Sequence, residues 1–328
     1  VQPGNNAPVW RQVREGTMGY SSLPRSQAPE AGNLIQPFAQ YPGSRYTTAG
    51  QAWREVRNNW IIPYGAALLG ITVLALAIFY LSRGALGREP ADGSGRRIER
   101  FTPFERAAHW CNATAFVTLA LTGIVMAFGK FFLQPVLGQQ LFGWLAFGLK
   151  NVHNFMGPLF AVSLTVIIVT FIKDNIANRA DFVWLSKAGG MFSNKEVPSH
   201  RFNAGEKGMF WWGITIPGVF VVLSGLVLDR LIPGWGLVRA EMQIAHMVHA
   251  TLAVWMMALL LGHIYMGTIG MRGAFKAMKT GYVSEAWARE HHELWADDVR
   301  SGKIPAQRSG PARAEAAAPA KSALGGTP

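Results

Sequence analysis

HMVHATLAVWMMALLLGHIY, residues 246–265, is an apolar run of the length that crosses a bilayer, and it carries His249 and His263 fourteen positions apart. At 1.5 Å per residue that spacing is about 21 Å along a helix and close to four whole turns, so both rings leave one face. An imidazole at membrane depth is costly and points to function by default. Neutral imidazole is also the commonest metal ligand. His246 competes with His249 as a ligand but lies about 100° off the face of His263, so His249 is preferred.

Outward from this stretch, further runs lie near 60–82, 109–129, 152–172 and 208–229, and the quoted one extends over 244–270. Each has about the 20 residues a spanning helix needs. The chain has 328 residues, 50% hydrophobic and 15% charged, with a mean hydropathy of +0.15. That balance is too apolar for an ordinary soluble domain and fits a membrane protein with polar ends. The expected class is an all-α integral membrane protein: a four-helix bundle over 109–270 plus one extra N-terminal transmembrane helix at 60–82. Residues 1–59 read as an irregular arm, 83–108 as a loop and 271–328 as a polar tail.

Loop charges orient the chain. Arg83, Arg88, Arg96, Arg97, Arg100 and Arg106 follow the first run, and Lys173, Arg179, Lys187, Lys195, Arg201 and Lys207 follow the third. Arg272, Lys276 and Lys279 follow the fifth, whereas 130–151 holds only Lys130 and Lys150, and 230–243 only Arg230 and Arg239. By the positive-inside rule the three rich segments are cytoplasmic, which puts the arm outside and the tail inside. Arg54 and Arg57 conflict locally with that placement. A removed secretory leader, suggested also by the first residue being Val, would reconcile them. The net charge of +12 is spread over loops and tail, so membrane orientation accounts for it and no nucleic-acid partner is expected.

Depth then pairs the histidines. His109 opens the second run at its cytoplasmic end and His153 the third at its outer end. The fifth run enters from outside, so His153 meets His249 and His109 meets His263. Two bis-histidine haems about 20 Å apart would follow from that rise. Small residues one turn along, at Ala113, Gly157, Ala253 and Gly267, leave room for a flat macrocycle. Gly123 and Gly225, in LALTGIV and FVVLSGLV, are further notches; ordinary helix packing explains such residues too. The single cysteine, Cys111, excludes a cysteine-ligated cluster, an internal disulfide and covalent Cys-x-x-Cys-His haem. It reads as a small buried apolar residue. His200, His291 and His292 read as surface groups. The one Asp or Glu inside the runs is Asp229, at the last position of 208–229, so no carboxylate sits deep in a span, which argues against proton-coupled transport.

FERAAHW (104–110), NVHNFMG (151–157), FNAGEKGMFWW (202–212), HMVHATLA (246–253), LGHIYMG (261–267) and the stretch 273–292 closely resemble the gamma, cytochrome b, subunit of membrane-bound formate dehydrogenases. The likeness covers roughly 100–300. It implies a four-helix diheme cytochrome b bundle in the bacterial inner membrane, with His109, His153, His249 and His263 as axial ligands of two b-type haems. It also implies an iron–sulfur beta subunit outside, fed by a molybdenum- or tungsten-pterin alpha subunit that oxidises formate. Asn203, Gly205 and His263 would border the pocket of a quinone, menaquinone or ubiquinone, near the cytoplasmic side. The RFNAGEK loop has a plainer reading, with Asn203 as a helix cap. The cytochrome b of a membrane-bound nickel–iron hydrogenase or another periplasmic oxidoreductase shares the bundle and ligands and is the alternative. A membrane anchor whose histidines only pack is the non-enzymatic one. Arg106, Lys207 and Arg272 lie at the inner surface, where haem propionates or a semiquinone charge would need partners; solvated positive-inside cations are the default expectation.

Overall fold

The structure, a computed structural model, describes residues 53–87, 97–190, 197–236 and 239–310. Most of the expected N-terminal arm, the tail beyond 310, and Arg88, Arg96 and Lys195 lie outside the described residues, as does the question of a leader.

Five helical segments are long and apolar enough to cross a membrane: Trp53–Arg83, Pro103–Phe132, Gln134–Phe171, Ala204–Leu228 and Ala240–Gly270. The chain is an all-α integral membrane protein. Each helix outruns its apolar core because local chemistry, not hydropathy, sets its ends. Helix α1 (Ile62–Arg83) is entered through a π turn, Val56–Ile61. Helix α2 (Pro103–Phe132) opens six residues before His109: Thr102 accepts from the Glu105 N–H, the Glu105 carboxylate accepts from the Thr102 N–H, and Pro103 fills the first position. Helix α3 (Gln134–Phe171) starts well before the apolar run at 152 and is broken at Gly138, whose φ of 74° suits a residue without Cβ.

After α3, the short helix α4 (Arg179–Ser186) is capped by Asn178. Helix α5 (Ala204–Gly208) runs through a π turn, Met209–Thr215, into α6 (Ile216–Leu228). Helix α7 (Arg239–Tyr265) ends in a third π turn, Met266–Gly270. The α2–α3 hairpin packs against the α6–α7 hairpin. Between the two histidine levels lies a plug of Ala115, Phe160, Leu164, Met256 and Leu260, all buried. Helix α1 lies on α7 at the edge of the bundle. Gly65 is its buried residue, and a Cβ there would sit 3.3 Å from Val254 Cγ2. The rest of α1 presents Ile71, Val73, Leu74, Ile78 and Leu81 outward, as a lipid-facing helix does.

The His109–His263 end carries a cap. Strands β1 (Arg97–Glu99) and β2 (Tyr282–Ser284) pair antiparallel with Ile98 opposite Val283. Helices α8 (Ala274–Thr280), α9 (Glu285–His291) and α10 (Glu293–Arg300) follow. Ile98, Phe101, Ala277, Trp287, Ala288, Trp295 and Val299 form its core. The chain leaving α1 is stitched in: the Leu86 N–H donates to Gly270 O at 2.8 Å, and the Arg272 N–H donates to Leu86 O at 3.0 Å.

Three expectations are corrected. His291 and His292 are not surface groups; they are 3% and 1% exposed, inside the cap. Lys207 is not solvated: it is buried, and its ammonium donates to Asp181 at 2.8 Å and to Ile176 O at 3.0 Å. Cys111 is exposed rather than buried, because it faces away from the seam that its neighbour Asn112 enters.

Candidate haem centres

Two pairs of imidazoles come from different helices. His109 of α2 and His263 of α7 have ring centroids 6.2 Å apart. His153 of α3 and His249 of α7 have centroids 6.1 Å apart. His246 points elsewhere: its Nδ1 accepts from Trp53 Nε1 at 3.2 Å, and the two rings meet edge to face. So α7 supplies one ring to each pair, and the leading turn before α1 takes the third histidine.

The hydrogen bonds of the His153–His249 pair fix which nitrogen is free. His153 Nδ1 lies 2.7 Å from Thr122 Oγ1, and the Thr122 hydroxyl already donates its one proton to Thr118 O at 2.8 Å. The hydroxyl oxygen therefore accepts from Nδ1–H, leaving Nε2 with its lone pair. His249 repeats the arrangement on α6. Its Nδ1 is 2.9 Å from Val221 O and 3.3 Å from Ser224 Oγ, and Ser224 donates to Phe220 O at 2.6 Å. Metal-bound histidines are held in this way, with the second ring nitrogen donating to a fixed acceptor. By contrast, His109 Nδ1 is buried with no hydrogen-bond partner among the described residues.

These features fit haem better than a bare ion. Two metal–imidazole bonds of about 2 Å on opposite sides of one metal, with a ring added at each end, separate the ring centres by about 6 Å. Among the described residues no group of three or more His, Cys, Asp or Glu gathers as a metal-binding cluster. A structural or catalytic zinc needs three or four protein ligands. A porphyrin supplies four nitrogens itself and leaves two axial places, the number each pair provides. A Cβ on Gly157 or Gly267 would enter open space, room that a flat macrocycle would need. Gly123 and Gly225 serve differently. A Cβ there would meet His153 Cε1 at 3.6 Å and His249 Cε1 at 3.1 Å, so they seat the imidazoles themselves.

Asn203 is a cap in this structure. Its Oδ1 accepts from the Glu206 N–H at 2.9 Å, and Glu206 Oε2 accepts from the Asn203 N–H at 3.0 Å. Gly205 is tight: a Cβ would sit 3.0 Å from Trp184 Cη2. The described residues form no hydrogen bond between this loop and His263. Below this loop lies a charged web. Arg100 donates to Glu206 at 2.7 Å and to Arg201 O at 3.0 Å, with Phe101, Phe202 and Trp287 around its guanidinium. Arg201 pairs with Glu105 and Asp174, and Arg308 pairs with Glu105. Arg106 donates to Lys279 O and Arg272 to Gly87 O, so both expected surface cations also serve as ties.

Sequence reasoning missed Thr122 and Ser224. The signal was available: each is the hydroxyl residue immediately before the glycine in LTG and LSG.

Known proteins are similar to much of this chain. The chain is similar to the formate dehydrogenase cytochrome b556(fdo) subunit of Escherichia coli (strain K12), 29% identical over 207 residues, covering 62% of this chain and 93% of that protein. It is similar also to the nitrate-inducible formate dehydrogenase cytochrome b556(Fdn) subunit of the same strain, 28% identical over 214 residues, 63% and 94%. The formate dehydrogenase cytochrome b556 subunit of Haemophilus influenzae is 24% identical over 203 residues, 61% and 82%. Helix α1 precedes residue 100, where the family match begins. A family model for prokaryotic cytochrome b561 matches residues 100–281, more than half of the chain, and that stretch holds all four paired histidines: the chain belongs to the prokaryotic cytochrome b561 family, whose members carry b-type haem.

Proposed function

We propose that the protein is the membrane cytochrome b subunit of a formate dehydrogenase complex, with His153 and His249 as axial ligands of one b-type haem and His109 and His263 of a second. One observation carries the reading: two ring pairs at about the separation a single metal sets, each drawn from two helices, with the outer pair's Nδ1–H groups already committed. When bound, the two haems supply reversible one-electron chemistry at two depths of the bilayer. The apolar plug of Ala115, Phe160, Leu164, Met256 and Leu260 keeps water from the space between.

In this reading the His153–His249 end is periplasmic and faces the iron–sulfur beta subunit, with the molybdenum- or tungsten-pterin alpha subunit beyond it. The His109–His263 end is cytoplasmic. There Asn203, Gly205 and His263 border a quinone, menaquinone or ubiquinone, and protons come from the cytoplasm. The curated relatives named as formate dehydrogenase subunits support the choice of complex, and the loop charges support the orientation. Negative charge moved inward works against the membrane potential, at about 2.3 kcal/mol per elementary charge per 100 mV.

The test uses the intact complex. H153A should lose one of two b-haem signals in the reduced-minus-oxidised spectrum and stop formate-dependent quinone reduction. N203S keeps a capping hydroxyl and should slow quinone reduction with both haem signals intact. A haem lost in N203S would make the loop structural support instead. The hydrogenase reading makes a different prediction at the docking face: a nickel–iron subunit would co-purify in place of a pterin-bearing one.

A further inference from the structure

The two imidazole pairs are not held alike. At the His153–His249 centre both Nδ1–H groups have acceptors: Thr122 Oγ1 at 2.7 Å for one, Val221 O at 2.9 Å and Ser224 Oγ at 3.3 Å for the other. Both hydroxyls donate onward to backbone carbonyls, Thr122 to Thr118 O and Ser224 to Phe220 O. A hydroxyl whose own proton is committed is a better acceptor. At the other centre His109 Nδ1 is buried and has no acceptor among the described residues. An imidazole that donates its Nδ1–H gains basicity at Nε2. A more basic axial ligand stabilises the more positive, ferric state of an iron, which lowers its reduction potential.

We infer that Thr122, with Val221 O and Ser224, sets the His153–His249 centre to a lower midpoint potential than the His109–His263 centre. This rests on the ligation proposed above. Thr122 is a positioning residue, acting through His153 rather than on substrate. The order it sets favours electrons passing from the His153–His249 end to the other, one at a time, the first iron being oxidised as the second is reduced. The neighbouring glycines support this arrangement. Gly123 seats the His153 ring against the hydroxyl residue beside it, and Gly225 does the same for His249 next to Ser224.

The experiment is an equilibrium redox titration of the haem absorption in the intact complex, independent of turnover. H109A, which keeps only the His153–His249 centre, should titrate at the lower of the two wild-type midpoints, and H153A at the higher. T122V should raise the lower midpoint and leave the higher one where it was, and T122S should restore it. S224A should raise the same midpoint by less, because Val221 O remains. The inference is overturned if H109A retains the higher midpoint, if T122V and S224A leave both midpoints unchanged, or if either moves the higher component instead. Those results would leave the ligation itself standing. Ligation fails separately, when the histidine variants keep both haems.

Discussion

Buried charge at the cap is where single residues matter most to stability. Arg201 is 7% exposed, and its guanidinium donates to Arg100 O at 2.6 and 3.1 Å and to Glu105 at 2.7 Å. Removing one partner of such a web strands the others in a poor solvent, at a cost of about 3–5 kcal/mol. R201A should therefore unfold the cap at markedly milder denaturant in a detergent-solubilised preparation. A loss under about 1 kcal/mol, typical of exposed pairs, would contradict this. His292 adds a pH dependence. Burial first, and then the positive charge of Arg100, push its imidazole down to about 3, so it is neutral in the fold while its Nδ1–H donates to His200 O at 2.9 Å. The unfolded chain, with an imidazole near 6.5, binds the proton more readily. The contribution is thus complete above about pH 6.5 and falls as pH drops from there toward 3, by up to about 1.4 kcal/mol per unit. Thermal unfolding followed between about pH 7.5 and 5, across the upper part of that range, should show H292N flatter than the parent; equal slopes would exclude His292 as the source. None of this was legible in the run of charges at 285–300. A string such as REHHELWADDVR looks solvated until Trp287, His291, Trp295 and Val299, each four positions after the last, are read together.

At the level of elements, hydropathy found every span but not its ends. The capping box at Thr102 and Glu105 starts α2 ahead of its apolar run, and α3 begins earlier still, through residues 139–151, because the short apolar stretch LFGWLAFGL at 141–149 is cut off from the run at 152 by Lys150 and Asn151. The shared face of His249 and His263, by contrast, was legible from spacing alone, since fourteen residues return a helix to nearly the same azimuth. The second hydrogen-bond partners were legible only as hydroxyl residues before Gly123 and Gly225; that they meet the rings was not, because Thr122 and Ser224 lie on other helices and only packing brings them there. The joint between α1 and α7 yields its own prediction. Gly65 allows the approach, with a Cβ already 3.3 Å from Val254 Cγ2 and 3.7 Å from Phe128 Cζ. G65I should overpack that seam and cost about 1–3 kcal/mol, seen as a lower midpoint for heat-induced loss of the haem band. The paired histidines are untouched, so haem content at low temperature should equal the parent's. Unchanged heat stability would mean that α1 is not locked to α7 at this point.

Over the whole molecule, five spans, an interior plug and a charged cap divide the work. The bundle brings imidazoles together at two levels, the plug separates those levels by an apolar layer, and the cap pins the ends of α1, α2, α5 and α7 at one surface. Helix α1 adds a lipid-facing rod to a core that the family shares, and the ties of Leu86 and Gly87, just past its end, to Met271, Arg272 and His291 fasten it to the cap. The central claim is that this scaffold grips two haems with four histidines, and haem content per polypeptide tests it most directly. The purified complex should hold two b-type haems for each copy of this chain, and each of H109A, H153A, H249A and H263A should hold one. A chain with no haem, or four variants that all retain the parent's content, would contradict the account.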